Sequence, residues 1–171
     1  TIDFSHAYAL GRQAFADCEA LKSIDLTTVR SAGEEVFLNC SNLKEVINGK
    51  YTKFSEGMFK NSGLESLVFN ADRIPNKAFI DCKELEEVII ASDILYVGSD
   101  AFNGCSSLTN VKFEGSCDYI FANAFKDATN LATLTLPNSP VEIEEYAFDN
   151  CGSLLKVIFN KNTLITKNAG S

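Results

Sequence analysis

The six cysteines have the most varied chemistry in this chain, because a thiolate ligates soft metals, forms disulfides and acts as a nucleophile. Five of them follow a Phe by three residues, namely Cys18, Cys40, Cys82, Cys105 and Cys151. A zinc site favours C-x-x-C pairs, and a disulfide framework does not follow a repeat period. The spacing therefore predicts a ladder of buried, reduced thiols that pack as small hydrophobic side chains. Oxidation between neighbours such as Cys18 and Cys40 is the alternative, although parallel side chains suit that bond poorly.

Cys117 lies off this ladder, in the polar segment Glu114-Gly115-Ser116-Cys117-Asp118. A thiol in an exposed loop ionises and reacts more readily than one buried among apolar side chains. The sequence therefore predicts that Cys117 is the most reactive thiol of the chain.

Acid–base chemistry has few candidates. His6 is the only histidine and has no nucleophile motif near it. Adjacent acidic residues could serve as acid and base, but in a repeat loop they more often lie at a solvated edge, and the pairs are Glu34-Glu35, Glu86-Glu87 and Glu144-Glu145. Neither a glycine-rich phosphate loop nor a calcium loop of spaced Asp residues is present in the sequence. The sequence thus predicts no catalytic residue, no cofactor, no metal site and no enzyme.

The amino-acid composition disfavours some classes of binding partner. Among the 171 residues, 46% are hydrophobic and 22% are charged, with a formal net charge of −8, which is typical of a folded acidic protein. A negative surface repels nucleic acid and anionic lipid, and no apolar run reaches the roughly 20 residues of a membrane span. We expect neither nucleic-acid binding nor membrane insertion.

The ladder of thiols belongs to a repeat that runs along the whole chain. A Phe recurs at intervals of 22, 22, 20, 23, 23 and 23 residues. It stands in the pairs Ala14-Phe15, Val36-Phe37, Met58-Phe59, Ala78-Phe79, Ala101-Phe102, Ala124-Phe125 and Ala147-Phe148. About seven repeats of 20–23 residues are therefore expected.

Each unit also carries an apolar triplet with the spacing L-x-x-L-x-L after the cysteine position. The triplets are Leu21/Ile24/Leu26, Leu43/Val46/Asn48, Leu64/Leu67/Phe69, Leu85/Val88/Ile90, Leu108/Val111/Phe113, Leu131/Leu134/Leu136 and Leu154/Val157/Phe159. Alternation at the end of the triplet predicts a short strand, and the Ala-Phe segment predicts a tight helical or 3₁₀ turn. Because one unit buries too little alone, the strands must stack into a parallel β-sheet.

The ends of the chain fall inside repeats. Ile2-Asp3-Phe4 has the spacing of the strand of an earlier unit, and Thr163–Thr166 falls where the loop strand of a further unit would begin. We expect residues 1–171 to form a single solenoid domain that is a piece of a longer array. The third unit is irregular, because Ser62-Gly63-Leu64 is one residue short after its Phe and the loop 70–73 is shortened too.

The unit Ile143-Glu144-Glu145-Tyr146-Ala147-Phe148-Asp149-Asn150-Cys151-Gly152-Ser153-Leu154-Leu155-Lys156-Val157-Ile158-Phe159 resembles the BspA-like (Treponema pallidum-type) leucine-rich repeat, I-x-x-x-A-F-x-x-C-x-x-L-x-x-V-x-L. The resemblance implies an α/β repeat solenoid, a right-handed superhelix with its parallel sheet on the concave face. It also implies an extracellular or cell-surface protein, and an adhesin-like role toward a host extracellular-matrix or cell-surface protein.

The x positions of the triplets face away from the core and form columns across the strands. Ile47, Val68 and Ile89 are adjacent apolar members of the central column. β-branched residues suit strands anyway, but an apolar strip with a charged rim is also the anatomy of a protein-binding patch. The predicted patch consists of Lys44, Glu45, Ile47, Ser66, Val68, Glu87, Ile89 and Lys112. The sequence favours a recognition module, with a structural spacer that binds nothing as the alternative.

Overall fold

The computed structural model describes residues 2, 4–49, 52–137 and 139–158. These residues form twelve short strands and no helix. The strands are β1 (Ala9–Leu10), β2 (Ser23–Asp25), β3 (Ser31–Ala32), β4 (Glu45–Ile47), β5 (Ser66–Phe69), β6 (Glu87–Ile90), β7 (Ile94–Val97), β8 (Asn110–Phe113), β9 (Cys117–Ile120), β10 (Thr133–Thr135), β11 (Glu142–Ile143) and β12 (Lys156–Ile158). Within the same ranges no helix is long and apolar enough to cross a lipid bilayer.

The triplet strands pair in parallel, as the sequence predicts, and we call them the first ladder. One sheet has the order β12-β10-β8-β6-β5 and a smaller one pairs β2 with β4. Equivalent positions are in register, as in Val88 with Val111 and Leu134 with Val157. Burial alternates along β5, with Leu67 and Phe69 inside and Ser66 and Val68 outside. The first ladder therefore has one face on the core and one in solvent.

A second ladder lies across the core, and the sequence analysis did not predict it as a sheet. It consists of the pair β1-β3 and the sheet β11-β9-β7, all parallel. Val97 and Ile120 are in register and completely buried, at the position five residues before each Phe. Periodicity missed these strands because they have two to four residues and because both middle residues of β9 are exposed.

The Ala-Phe segments are not helical, so the predicted helical turns and the α/β class are not confirmed. Residues on both sides of Phe102 are left-handed, Asp100 with φ 56° and Gly104 with φ 76°. The same pairing recurs along the chain, with Gln13 and Asp17 around Phe15 and with Glu35 and Asn39 around Phe37. Asn, Asp and Gly tolerate this conformation best. Residues with positive φ interrupt a helix. The turn instead forms a backbone hydrogen bond with the turn of the next coil, in which the Phe102 N–H donates to the Ala124 carbonyl at 2.7 Å.

The described residues form a parallel β-solenoid of about six turns with the leucine-rich-repeat fold. The count of seven repeats is not confirmed. The two numbers differ because the sequence counts Ala-Phe segments, whereas the structure counts complete coils between them. Of the predicted end strands, Asp3 and Thr163–Thr166 lie outside the described residues.

The recurring Phe side chains form one continuous column, as predicted. Successive rings from Phe15 to Phe148 are stacked with centroids 5.0–5.8 Å apart and planes within 12°. The central rings, such as Phe79 and Phe102, are completely buried, and Phe15 and Phe148 are partly exposed. We call this column the Phe spine.

The cysteine position is small because it packs against the backbone of the preceding coil. The Cys82 thiol donates to the Phe59 carbonyl at 3.0 Å, and the Cys105 thiol donates to the Phe79 carbonyl at 3.1 Å. All six cysteines are free thiols. A larger side chain at this position would separate adjacent rings of the Phe spine.

The irregular third unit interrupts both ladders. No described strand pairing joins β4 to β5, and the bridges of the second ladder skip the step from Lys53 to Ile74. The coil here is short, with 20 residues from Phe59 to Phe79. The short coil stays in register with the following coil, through β5 with β6 and the Ile74–Val97 bridge. Toward the preceding coil, pairing survives at the Phe turn and is lost at the strands.

We expect truncation of the Phe spine to be costly at its centre. Phe102→Ala removes a completely buried ring and should lower the free energy of unfolding by about 3–5 kcal/mol, measured by urea denaturation. Phe148→Ala is the matched control, and its partly exposed ring should cost less. A loss below about 1 kcal/mol for Phe102→Ala would contradict the interior placement.

Candidate protein-recognition surface

The residues that could do chemistry do not converge. His6 is exposed and its Nδ1 lies 3.0 Å from the hydroxyl of the adjacent Ser5. In the described part of the chain, no three His, Cys, Asp or Glu side chains cluster in a way that could hold a metal ion. The surface of the first ladder is therefore the candidate that remains.

Cys117 is not the exposed thiol that the sequence predicts. It begins β9 of the second ladder, is completely buried, and its thiol donates to the Tyr119 carbonyl at 3.2 Å. Burial raises the pKa of Cys117 to about 12, because the thiolate loses its hydration. Cys18 and Cys151, at the ends of the solenoid, are the partly exposed thiols. The prediction was wrong because the strand containing Cys117 has no alternating pattern.

All eight residues of the predicted patch lie on the strands of the first ladder or directly before them, and their side chains reach solvent. We call this surface the outer face. Ile47 is 49% exposed and Val68 is 55% exposed, as much as Leu95 on the second ladder at 50%, and Ile89 is partly buried. Val68 pairs in register with Ile89, and Ile89 with Lys112. The central column is thus contiguous from β5 to β8.

The charged members of the patch are held by neighbours on the same face. Lys44 forms an ion pair of 3.0 Å with Glu65, and Lys112 forms one of 2.7 Å with Glu114. The side-chain amide of Asn110 donates to Glu87 at 2.8 Å. These exposed pairs contribute little to stability, but they fix the positions of the groups around the apolar residues.

The interruption between β4 and β5 crosses this patch. Ile47 pairs with Asp25 on β2 and has no ladder pairing to Val68. Between the two strands lies a cleft of about 340 Å³. It is lined by Glu45, Val46, Ile47, Asn48, Ser66, Val68 and Asn70. The apolar strip expected from the sequence is therefore divided by a cleft rather than continuous.

A family model described as the BspA type leucine-rich repeat region matches residues 2–86 and 72–169, with six copies. This chain belongs to the BspA-type leucine-rich repeat family. The resemblance drawn from the sequence is thereby confirmed. No curated protein matched the chain.

Solved structures of bacterial leucine-rich repeat proteins have the same fold as this BspA-type chain. A leucine-rich repeat protein from Bacteroides ovatus is 23% identical, with a TM-score of 0.67 over 92% of this chain and 48% of that one. The T. pallidum leucine-rich repeat protein is 20% identical, with a TM-score of 0.59 over 96% of this chain and 70% of that one. The chain thus spans about half of the Bacteroides ovatus protein. At these identities the likeness shows the fold alone.

Asn48 departs from the BspA-type pattern at the cleft. The same position holds Leu26, Phe69, Ile90 and Leu136 in other coils, all buried. Asn48 is only 9% exposed, and both polar atoms of its carboxamide lack a hydrogen-bond partner among the described residues. The sequence shows the departure, because Asn48 ends the second triplet where other triplets end in an apolar residue. It does not show the cleft, because the cleft depends on the register between two coils.

A second surface feature was missed because the second ladder was missed. The rings of Tyr96 and Phe121 lie 5.2 Å apart, and those of Tyr119 and Phe121 lie 5.8 Å apart. The Arg73 guanidinium lies 5.9 Å from the centre of the Tyr96 ring. Register alone would have placed Tyr96 beside Tyr119, had β7 and β9 been recognised as neighbours.

Thiol labelling should follow exposure. With iodoacetamide at pH 8 under native conditions, we expect Cys18 to react fastest and Cys117 to react as slowly as the buried Cys105, because Cys117 is buried and its pKa is about 12. Mass spectrometry of peptides taken over time gives the order. Labelling of Cys117 before Cys18 would show that β9 is not folded as described.

Asn48→Leu should stabilise the protein. The change removes a buried carboxamide without partners and restores the side chain of the equivalent positions, so we expect a gain of about 1–3 kcal/mol in urea denaturation. Asn48→Asp is the isosteric control and should destabilise, because it places an unpaired carboxylate at the same buried position. Destabilisation by Asn48→Leu would mean that the carboxamide makes a stabilising contact.

Proposed function

We propose that the outer face of the first ladder binds a protein partner, and that the chain is an adhesin-like recognition module exposed on a cell surface or secreted. The observation that carries the proposal is the exposure of Ile47 and Val68, 49% and 55%, within a charged rim. Large apolar side chains left in water on a regular sheet contribute little to folding. Apolar side chains within a polar rim are the usual composition of a protein-binding patch, and here Ile47 and Val68 lie on either side of a cleft.

The family supports the same reading. BspA-type leucine-rich repeats are repeat scaffolds, and the repeat region suggests a role in protein interaction or at a surface. Stacked coils place equivalent side chains in columns on a long, firm surface, which suits recognition of another macromolecule. Partners with acidic surfaces are disfavoured by the net charge of −8. A host extracellular-matrix or cell-surface protein is the partner class we propose.

The alternative is a spacer that projects another domain and binds nothing. It is favoured by the uninterrupted Phe spine, since rings stacked from Phe15 to Phe148 stiffen the whole length of the solenoid. A spacer has no need of exposed apolar residues at one place on one face. The recognition module and the spacer therefore predict opposite effects on binding when the exposed apolar residues of the outer face are replaced.

The test is the triple variant Ile47→Lys, Val68→Lys and Ile89→Lys. We expect the free energy of unfolding to change by about 0.5–1 kcal/mol, mostly from the partly buried Ile89, because the other two side chains face water. Binding to a matrix protein captured from host extracellular matrix should be lost, because three charges would be placed in a desolvated contact. A binding titration and a melting curve are measured on the same preparation.

Leu95→Lys is the matched control. Leu95 is 50% exposed on β7 of the second ladder, so the change is chemically the same at equal exposure. We expect it to leave both binding and stability unchanged. Undiminished binding by the triple variant would refute the outer-face proposal and favour the spacer, and loss of binding with Leu95→Lys alone would move the contact to the second ladder.

A further inference from the structure

The second ladder carries a group of aromatic rings on the side of the core opposite the outer face. The Phe121 ring contacts two tyrosine rings, with its centre 5.2 Å from that of Tyr96 and 5.8 Å from that of Tyr119. Tyr119 is 43% exposed, and the other two residues are partly exposed. We call these three rings the aromatic cluster.

The packing of the solenoid does not require this cluster. Phe121 directly follows the buried Ile120, and the equivalent position in other coils is glycine, at Gly11, Gly33 and Gly98. The regular coil has no room for a side chain there, because a Cβ on Gly98 would lie 2.5 Å from the Asn76 nitrogen. Phe121 departs from that pattern, and its ring reaches Tyr96 across a neighbour that has no side chain. A large ring at a glycine position, outside the core, points to a role other than packing.

One end of the aromatic cluster already holds a guanidinium group. Arg73 lies over the Tyr96 ring, with its guanidinium carbon 5.9 Å from the ring centre. Two of its guanidinium nitrogens donate to the carboxylate of Asp72, at 2.9 and 3.1 Å. The negative face of a ring attracts a cation, and a carboxylate beside it adds charge-assisted hydrogen bonds. This end therefore combines a ring, a cation and a carboxylate within one chain.

The other end has the ring and carboxylates but no cation. Tyr119 pairs in register with Tyr96 on one side and with Glu142 on the other, and Asp118 directly precedes it. Both carboxylates are exposed, and among the described residues neither has an ion-pair or hydrogen-bond partner. The residues of β7, β9 and β11 that reach solvent include no cation, and they are Leu95, Tyr96, Asp118, Tyr119 and Glu142.

We propose that this end of the aromatic cluster binds an arginine side chain of another protein. One side of the Tyr119 ring faces Phe121, so the guanidinium lies over the other side and donates to the carboxylates of Asp118 and Glu142. Charge complementarity decides the partner, since two unpaired carboxylates stand beside the ring and the chain has a net charge of −8. The inference goes beyond the proposed function, because this surface lies across the core from the outer face.

Other groups satisfy this surface less well. A lysine ammonium is compact and strongly hydrated, so it does not lie flat on a ring while donating to two carboxylates. A sugar ring also lies against an exposed tyrosine, but it brings no charge to offset Asp118 and Glu142. An acidic side chain would be repelled. Arginine alone among protein side chains combines a planar cation with five donors, as the contact of Arg73 with Tyr96 and Asp72 illustrates.

The test is a ¹H–¹⁵N NMR titration of the whole chain with N-acetyl-arginine N-methylamide. We expect saturable shifts at Asp118, Tyr119 and Glu142, with a dissociation constant on the order of 10 mM, because a cation–π contact and exposed ion pairs are each weak. A nuclear Overhauser effect between the δ-methylene protons of the probe and the Tyr119 ring should accompany the shifts.

Two further probes separate charge from shape. N-acetyl-citrulline N-methylamide has the shape of the arginine probe without the charge, and N-acetyl-lysine N-methylamide has the charge without the planar fork of donors. Both should bind at least about threefold more weakly than the arginine probe. Methyl β-D-glucopyranoside represents the uncharged sugar ring, and we expect it to bind more weakly still.

Two variants remove the ring and one carboxylate separately. Tyr119→Leu and Glu142→Gln should each weaken binding of the arginine probe by about threefold. The matched controls are Tyr8→Leu, at a tyrosine that is 73% exposed before β1, and Glu19→Gln, at an exposed carboxylate in the first turn. Both controls should leave the affinity unchanged. Unchanged spectra away from the aromatic cluster show that each variant is folded.

Equal affinity for the arginine and citrulline probes, or for the arginine and lysine probes, overturns the proposal. Binding that both Tyr119→Leu and Glu142→Gln leave intact overturns it too, as do shifts confined to the outer face. Tighter binding of the glucoside at Tyr119 would make the aromatic cluster a sugar-binding surface instead. The outer-face proposal stands or falls separately, because its triple lysine variant changes none of these residues and should bind the arginine probe normally.

Discussion

The structure depends on one repeated distance, the separation between neighbouring coils. Stacked Phe rings 5.0–5.8 Å apart, backbone bonds between Phe turns and parallel strand pairing about 4.8 Å apart all require nearly the same spacing. Because each coil buries its apolar side chains only against its neighbours, these contacts decide together whether the chain folds. The small residue at the cysteine position serves the same spacing, since the Cys105 thiol reaches the Phe79 carbonyl of the preceding coil at 3.1 Å.

The interruption between β4 and β5 shows which of these contacts is indispensable. The spine passes through it unchanged, with Phe37, Phe59 and Phe79 at 5.5 Å intervals, whereas both ladders lose pairing nearby. A short coil must give up register somewhere, and it does so at the strands rather than in the buried aromatic column. The backbone groups released at the outer face reach solvent, while rings pulled apart in the core would leave voids.

Much of the fold could be predicted from the sequence, because buried positions such as Phe102, Val111 and Leu134 recur with a fixed period and a fixed residue class. The family and the placement of the eight patch residues on strands of one exposed face followed from the same period. The second ladder could not be predicted, since β7 and β9 bury only their first and last residues and show no alternation. Cys117 was misplaced for that reason. The turns were predicted to be helical, whereas Asp100 and Asn39 have positive φ and their N–H groups donate to the next coil.

The cleft beside Asn48 could not be predicted from the sequence, for a different reason. Its shape follows from a mismatch between one coil of ordinary length and one that is short, and neither coil shows the mismatch alone. In a solenoid such a defect affects only adjacent coils, because stability is close to a sum of repeat and neighbour terms. The buried carboxamide of Asn48 therefore costs about 1–3 kcal/mol at one pair of coils. The coil where regularity fails is therefore the place where this fold tolerates a side chain that the packing does not require.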